Sequence, residues 1–144
     1  MAISVTLAQE RDLKKIRTIL RGAKLSTNLT RCRYVLKAVK DYRIVGAIGL
    51  EFWGDFVSLR PLVVDRKFRR QGVGRSLVIQ ALQLSKLQST TGIYAYTLFW
   101  NIRFFSSCGF ARVPKTSAPT EVVASAVYHH PHYRYCCLME YQGG

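Results

Sequence analysis

The sequence predicts an α/β domain, a mixed β-sheet flanked by helices in the order β-α-βββ-α-β-α-β. Three observations lead there. Apolar segments of strand length recur along the 144 residues. Between them lie segments whose apolar residues repeat at helical spacing. Hydrophobic residues make up 49% of the chain, enough for one ordinary core, and no Pro/Gly/Ser-rich tract divides residues 1–144 into more than a single domain.

Each element has its own signal. Residues 3–7 (I-S-V-T-L) form a first strand, and residues 9–21 a helix with Leu13, Ile16 and Leu20 on one face and Gly22 as its stop. Residues 23–32 are polar and carry no clear element. Tyr34–Val39 and Ile44–Phe52 read as strands joined by a turn at Asp41-Tyr42. The Trp53-Gly54-Asp55 turn then leads into a third strand of the meander, Phe56–Val64. A basic turn over Arg66–Arg75 opens a helix from Gly72 to Gln88, whose apolar side is Val73, Leu77, Val78, Ala81 and Leu82. Ile93–Leu98 returns as a strand. Asn101–Cys108 is a short helix ended by Gly109, and Phe110–Val113 starts a strand. Pro119–Ala126 reads as helical, and Tyr135–Tyr141 closes the sheet.

Composition bounds the function. No apolar run reaches the roughly 18 residues a membrane-spanning helix needs. Residues 1–18 meet charge at Glu10, Arg11 and Asp12, which argues against a secretory leader and predicts a cytoplasmic protein with no membrane partner. Cys32, Cys108, Cys136 and Cys137 match neither a zinc pair nor a disulfide framework, so they read as reduced, structural thiols. His129, His130 and His132 with Cys136 lack the usual ligand spacing, and no metal is expected. Twenty-two Lys and Arg against eight Asp and Glu give a net charge of +14, a field that favours anionic partners.

The strongest local feature is Arg69-Arg70-Gln71-Gly72-Val73-Gly74-Arg75, set between a strand and a helix. Gly72 and Gly74 remove side chains where a ligand must approach the backbone. Amides of the first helical turn and the helix dipole favour an anion at that spot, and Arg70 and Arg75 add full charges. A pyrophosphate suits this chemistry. The dinucleotide glycine fingerprint is absent, and so is the Lys-Ser/Thr of a Walker loop, which excludes an ordinary NAD or nucleoside triphosphate site.

The segment L-V-V-D-R-K-F-R-R-Q-G-V-G-R resembles the acetyl-CoA signature of the GNAT superfamily of N-acetyltransferases, whose R/Q-x-x-G-x-G/A pattern is met by Arg69, Gly72 and Gly74. The element order is similar to theirs across nearly the whole chain. The resemblance implies acetyl-CoA as co-substrate. It would be held through Arg69, Arg70, Gln71, Gly72, Val73, Gly74 and Arg75 at its diphosphate and through Leu62, Val63 and Val64 along its pantetheine arm. A main-chain amide near Val64 would polarise the thioester carbonyl, and Asn101 and Phe105 would flank the cofactor. The run Phe104-Phe105-Ser106-Ser107-Cys108-Gly109-Phe110 resembles the family's short helix ending in Gly-Phe. Many members carry a Tyr general acid where this chain has Phe105. The same substitution marks N-acetylglutamate synthase-like enzymes and the arsenic-cluster acetyltransferases that act on arsinothricin or phosphinothricin. The tail, with Ala118-Pro119, Val122, Ser125 and Cys137-Leu138-Met139, is similar to the latter, as are Gly49-Leu50-Glu51 and Leu59-Arg60; His132-Tyr133 replaces their usual Cys-Pro.

The expected reaction is direct acetyl transfer, in a ternary complex, to the amine of a small acceptor such as an amino acid or analogue. Glu51 is the candidate general base, acting through water; the alternative is a strand-end carboxylate in solvent or paired with Arg60. Arg60 fits a substrate carboxylate by its bidentate fork, or a structural pair with Glu51; both readings stand. Tyr94 or Tyr96 are candidates to replace the absent general acid. Cys108 before Gly-Phe reads as core rather than nucleophile. Trp53, Phe99 and Trp100 read as core or homodimer packing rather than base stacking. Competing functions are acetylation of a protein N-terminus or lysine, a CoA sensor without catalysis, and a nucleic-acid-binding protein of the same fold. The chain shows no helix-turn-helix or RNA-binding signature, so nucleic acid is not the expected partner.

Overall fold

The computed structural model describes residues 2–88, 90–123 and 135–143. Its strands are β1 (Ser4–Leu7), β2 (Cys32–Lys40), β3 (Arg43–Trp53), β4 (Phe56–Val64), β5 (Gly92–Leu98), β6 (Phe110–Val113) and β7 (Cys136–Tyr141). The helices are α1 (Leu13–Gly22), α2 (Val73–Leu87), α3 (Ile102–Ser107) and α4 (Thr120–Val123). Seven strands form one sheet in the order β1-β2-β3-β4-β5-β7-β6.

Local chemistry explains the elements. The segment expected as a helix over residues 9–21 begins as a tight turn at Glu10–Asp12, and the regular helix starts at Leu13. Asp12 accepts the Gln9 amide at 2.8 Å and pairs with Lys37 of β2 at 2.8 Å, so the helix start is tied to the sheet. Gly22 lies in the last turn of α1 rather than beyond it. On α2 all five expected apolar residues are buried, joined by Ser85, whose hydroxyl returns to the Ala81 carbonyl at 2.7 Å. The expected Asn101–Cys108 helix divides into a tight turn at Phe99–Asn101 and α3. Of the helix expected over Pro119–Ala126, the structure shows Thr120–Val123; residues 124–126, and with them Ser125, lie outside the described residues.

Two apolar clusters sandwich the meander. Against one face pack Leu77, Val78 and Ala81 of α2 and Phe105 of α3, together with Leu36, Ile48, Leu50, Val57 and Leu59. Against the other face pack Ile16, Ile19 and Leu20 of α1 with Ala47 and Val63. Further along that second face, Trp53, Tyr94 and Leu138 meet Ala118 and Val122. Glu51 lies between the last two clusters.

Two irregularities in β4 shape the centre. Ile48 faces Leu62 while Leu50 faces Leu59, so Gly49 alone opposes Arg60 and Pro61, a bulge on β4. The other is a parting of strands. β4 and β5 run parallel but pair only from Phe56 to Ser58 against Gly92 to Tyr94. Beyond that point β5 continues against β7, and among the described residues the β4 edge from Leu59 to Val64 is left open on that side.

Candidate active site

The open edge of β4 leads straight into the basic turn. Asp65 donates its amide to the Val45 carbonyl of β3 at 2.7 Å. Hydrogen-bonding direction alternates along a strand, so the amides and carbonyls of Leu62 and Val64 point away from β3, into the gap toward β5. The Val64 carbonyl accepts from Arg69 Nε at 3.3 Å, which agrees with that direction. Val63 has the opposite sense: its side chain is buried under α1 and its backbone faces β3.

The turn holds Arg70 at φ +64° and Gly72 at φ +84°. The second value is natural only for glycine, and a Cβ on Gly72 would meet nothing within 4 Å, so open space lies beside it. The first helical bond runs from the Ser76 amide to the Gly72 carbonyl at 3.0 Å. The amides of Val73, Gly74 and Arg75 precede it and are the donors that every helix start leaves over. Arg69, Arg70, Gln71 and Gly72 are exposed, whereas Val73 anchors the helix in the core. Arg75 is committed elsewhere: its guanidinium donates to the carbonyl (3.2 Å) and hydroxyl (3.4 Å) of Ser107 at the end of α3. Lys40, from the end of β2, contacts the Gln71 side chain, a cation whose place at the turn has no signal in the sequence. A diphosphate fits this cradle of amides and guanidinium groups.

Gly74 lies under the Phe104 ring, which would stand 3.4 Å from an added Cβ, so Phe104 and Val64 wall the start of α2. Phe105, by contrast, is buried in the core between Phe104 and Phe110, with ring centroids 5.1 and 5.4 Å away. Asn101 is exposed where the chain passes from β5 to α3.

On the opposite face of the sheet the polar candidates converge. Cys32, Glu51 and Ser58 are successive cross-strand partners on β2, β3 and β4. Glu51 is 4% exposed and two residues inside β3, which overturns the alternative of a strand-end carboxylate in solvent. Burial pushes its carboxyl above the usual range, against the pull of Arg60 and Arg31. The Cys32 thiol sits over Gly49, 3.4 Å from the Arg60 carbonyl. Burial, aided by the Glu51 charge, pushes that thiol up to about 12. The charges of Arg60 and Lys115 both reach the Cys136 thiol, which burial nevertheless raises. Arg60 and Arg31 thus act on one buried carboxylate.

Other candidates are placed as follows. Cys108 is half-buried and raised by burial, the wrong direction for a nucleophile. Tyr94 is buried beside Glu140, and burial raises its hydroxyl as well. Trp53 is core, but Phe99 and Trp100 stand 68% and 63% exposed in edge-to-face contact, so core packing does not hold for them. A pocket lies beside Glu51, lined by Trp53, Phe56, Val57, Ser58, Tyr94, Tyr96, Pro119, Val122 and Leu138. His129, His130, His132 and Tyr133 lie outside the described residues. Among the described residues no group of His, Cys, Asp and Glu is placed to hold a metal, and no helix is long and apolar enough to cross a membrane.

Comparison with known proteins bears on the family and the fold. The profile of the acetyltransferase (GNAT) family matches residues 8–110. No curated protein sequence matches the chain. Among solved structures, the fold is similar to N-acetylglutamate synthase from Neisseria gonorrhoeae complexed with coenzyme A and N-acetyl-glutamate, at TM-score 0.83 and 14% identity, over 98% of this chain and 35% of that one. It is similar to Rv2747 from Mycobacterium tuberculosis in complex with CoA, at TM-score 0.81 and 18% identity, over 96% and 98% of the two chains. It also matches Ard1 from Thermoplasma volcanium at TM-score 0.73 and 17% identity, over 97% and 96%. The chain spans about a third of the length of the synthase, and these likenesses concern the fold.

Proposed function

Since the chain belongs to the acetyltransferase (GNAT) family, whose members are acetyl-CoA-dependent N-acetyltransferases, we propose that its acceptor is a small amine bearing a carboxylate, an amino acid or an analogue of one. The observation that carries this reading is the buried Glu51 carboxylate with Arg60 and Arg31 acting on it, on the sheet face opposite α2. That N-acetylglutamate synthase shares the fold is in keeping with it.

Acetyl-CoA supplies an activated acetyl thioester. The amides of Val73, Gly74 and Arg75, with Arg69, Arg70, Gln71 and Lys40 beside them, hold its diphosphate. The main chain of Val64 pairs with its pantetheine arm along the open edge. The Leu62 amide, across from Ile48 and so nearer Glu51 than the Val64 amide across from Gly46, donates toward the acetyl oxygen, where negative charge develops as the amine attacks. Glu51, its basicity raised by burial, takes the amine proton through water. Arg60 receives the carboxylate of the acceptor and sets which end of it faces Glu51. Phe105 has no proton to give, so in this scheme the thiol leaves as its anion, which coenzyme A tolerates as a leaving group.

The test is release of free thiol from acetyl-CoA with a panel of amines: amino acids, phosphinothricin, polyamines and peptides. Turnover is expected with carboxylated amines. Arg70→Ala and Gly72→Glu should raise the KM for acetyl-CoA at least tenfold, and Glu51→Gln should lower kcat by about 10²-fold. Preference for polyamines or peptides over every carboxylated amine would overturn the acceptor class. Normal turnover by Glu51→Gln would remove Glu51 from the mechanism.

A further inference from the structure

The β2–β3 hairpin brings two cations face to face at its tip. Lys40 ends β2, Arg43 begins β3, and the two are cross-strand partners with only Asp41 and Tyr42 between them. Like charges directly opposite one another in a sheet destabilise the pair. Among the described residues neither side chain is in a salt bridge. Both reach the basic turn instead. Lys40 contacts the Gln71 side chain, and the exposed Arg43 guanidinium lies over the Phe68 ring, 5.9 Å from its centroid. Residues 40–43 and 65–72 together hold six Lys and Arg against Asp41 and Asp65. The Asp65 carboxylate already accepts the Lys67 amide at 3.1 Å. This is more positive charge than a diphosphate by itself can neutralise.

We propose that Arg43 and Lys40 form a subsite for the 3′-phosphate on the ribose of coenzyme A, beside the diphosphate cradle at the start of α2. A phosphate monoester carries about two negative charges near neutral pH and three acceptor oxygens. One such group can receive both cations, and it turns their repulsion across the hairpin into a shared attraction. In coenzyme A only the ribose separates the 3′-phosphate from the diphosphate, and the contact of Lys40 with Gln71 sets the hairpin tip next to the cradle. Lys40 therefore stands between the two anionic groups, while Arg43 belongs to the outer one alone. The inference rests on the cradle described above. It makes the hairpin tip the element that tells coenzyme A from a carrier with the same pantetheine arm and diphosphate but no 3′-phosphate.

Calorimetry with free CoA and 3′-dephospho-CoA tests this without any turnover. At physiological salt the wild type should bind CoA about tenfold more tightly, the scale of one charge-assisted hydrogen bond. Arg43→Gln should remove most of that preference and leave the affinity for dephospho-CoA unmoved. Lys40→Gln should weaken both ligands, and CoA the more. Arg112, exposed on the edge strand β6, controls for the general field: Arg112→Gln removes the same charge and should keep the wild-type preference. ³¹P spectra give a second readout. The 3′-phosphate of bound CoA should titrate below its ordinary value of about 6 in the wild type and move back toward it in Arg43→Gln. A preference that survives Arg43→Gln, or one that falls equally in Arg112→Gln, would overturn the subsite. Binding of both ligands with equal affinity would remove the subsite and leave the cradle standing. Heat with neither ligand would overturn the cradle and the subsite together.

Discussion

Glu51, as the proposed base, would set function against stability. Burial makes the folded chain hold its proton more tightly than the unfolded chain does. Where a folded group binds protons more strongly, stability falls as pH rises above the ordinary carboxylate value, until the raised folded value is passed. Glutamine at this position never ionises and escapes that loss. Glu51→Gln should therefore melt at a higher temperature than wild type at neutral pH, with the gap closing as pH falls toward 4.5, while catalysis is lost; thermal melts across pH check this. In the wild type, kcat should rise with pH as the carboxyl loses its proton, and a pH–rate profile without that limb would exclude Glu51 as base. The cysteines run the other way from reactive thiols. With Cys32 pushed up to about 12, and Cys108 and Cys136 also raised, these three lack the lowered pKa that nucleophilic work requires.

At the scale of elements, the bulge on β4 depends on Gly49. Its missing side chain lets the Arg60 carbonyl and the Cys32 thiol meet over β3, and an added Cβ would lie 2.5 Å from each. One of those neighbours is backbone and cannot step aside cheaply. Gly49→Ala should cost about 2–3 kcal/mol through overpacking and disturb the placement of Arg60, read as a lower denaturation midpoint and a raised KM for the acceptor. Gly74 makes a contrast, since an added methyl there would meet Phe104 at an ordinary 3.4 Å. Gly74→Ala should change stability by less than about 1 kcal/mol. The two glycines look alike in the sequence, and only the packing around them separates a forbidden methyl from a tolerated one.

For the whole molecule, the net charge of +14 is a field before it is a set of contacts. Arg66, Lys67, Arg69 and Arg70 are exposed around the start of α2, where an anionic carrier would arrive. Screening shortens such attraction to about 8 Å at physiological salt and about 3 Å at 1 M. The KM for acetyl-CoA should accordingly rise several-fold between low and high salt while kcat changes little, and steady-state kinetics over an ionic-strength series would show it. Read from residues alone, the meander, the strand-turn-helix at Gly72 and the apolar stripe of α2 were all legible, because each is a local pattern: alternation, punctuation by glycine, or a 3.6-residue repeat. The insertion of β7 between β5 and β6, the parting of β4 from β5, the arrival of Lys40 at the turn, and the burial of Glu51 between Cys32 of β2 and Ser58 of β4 were not legible. Each joins residues distant in the chain, and their meeting is decided by which faces pack together and by the desolvation that packing imposes. The sequence by itself thus determined the order of elements and the basic strand-turn-helix at Gly72. The tertiary structure alone decided which buried groups share the opposite face, because the burial that raises a carboxyl or requires a glycine is a property of the assembled core and of no single segment.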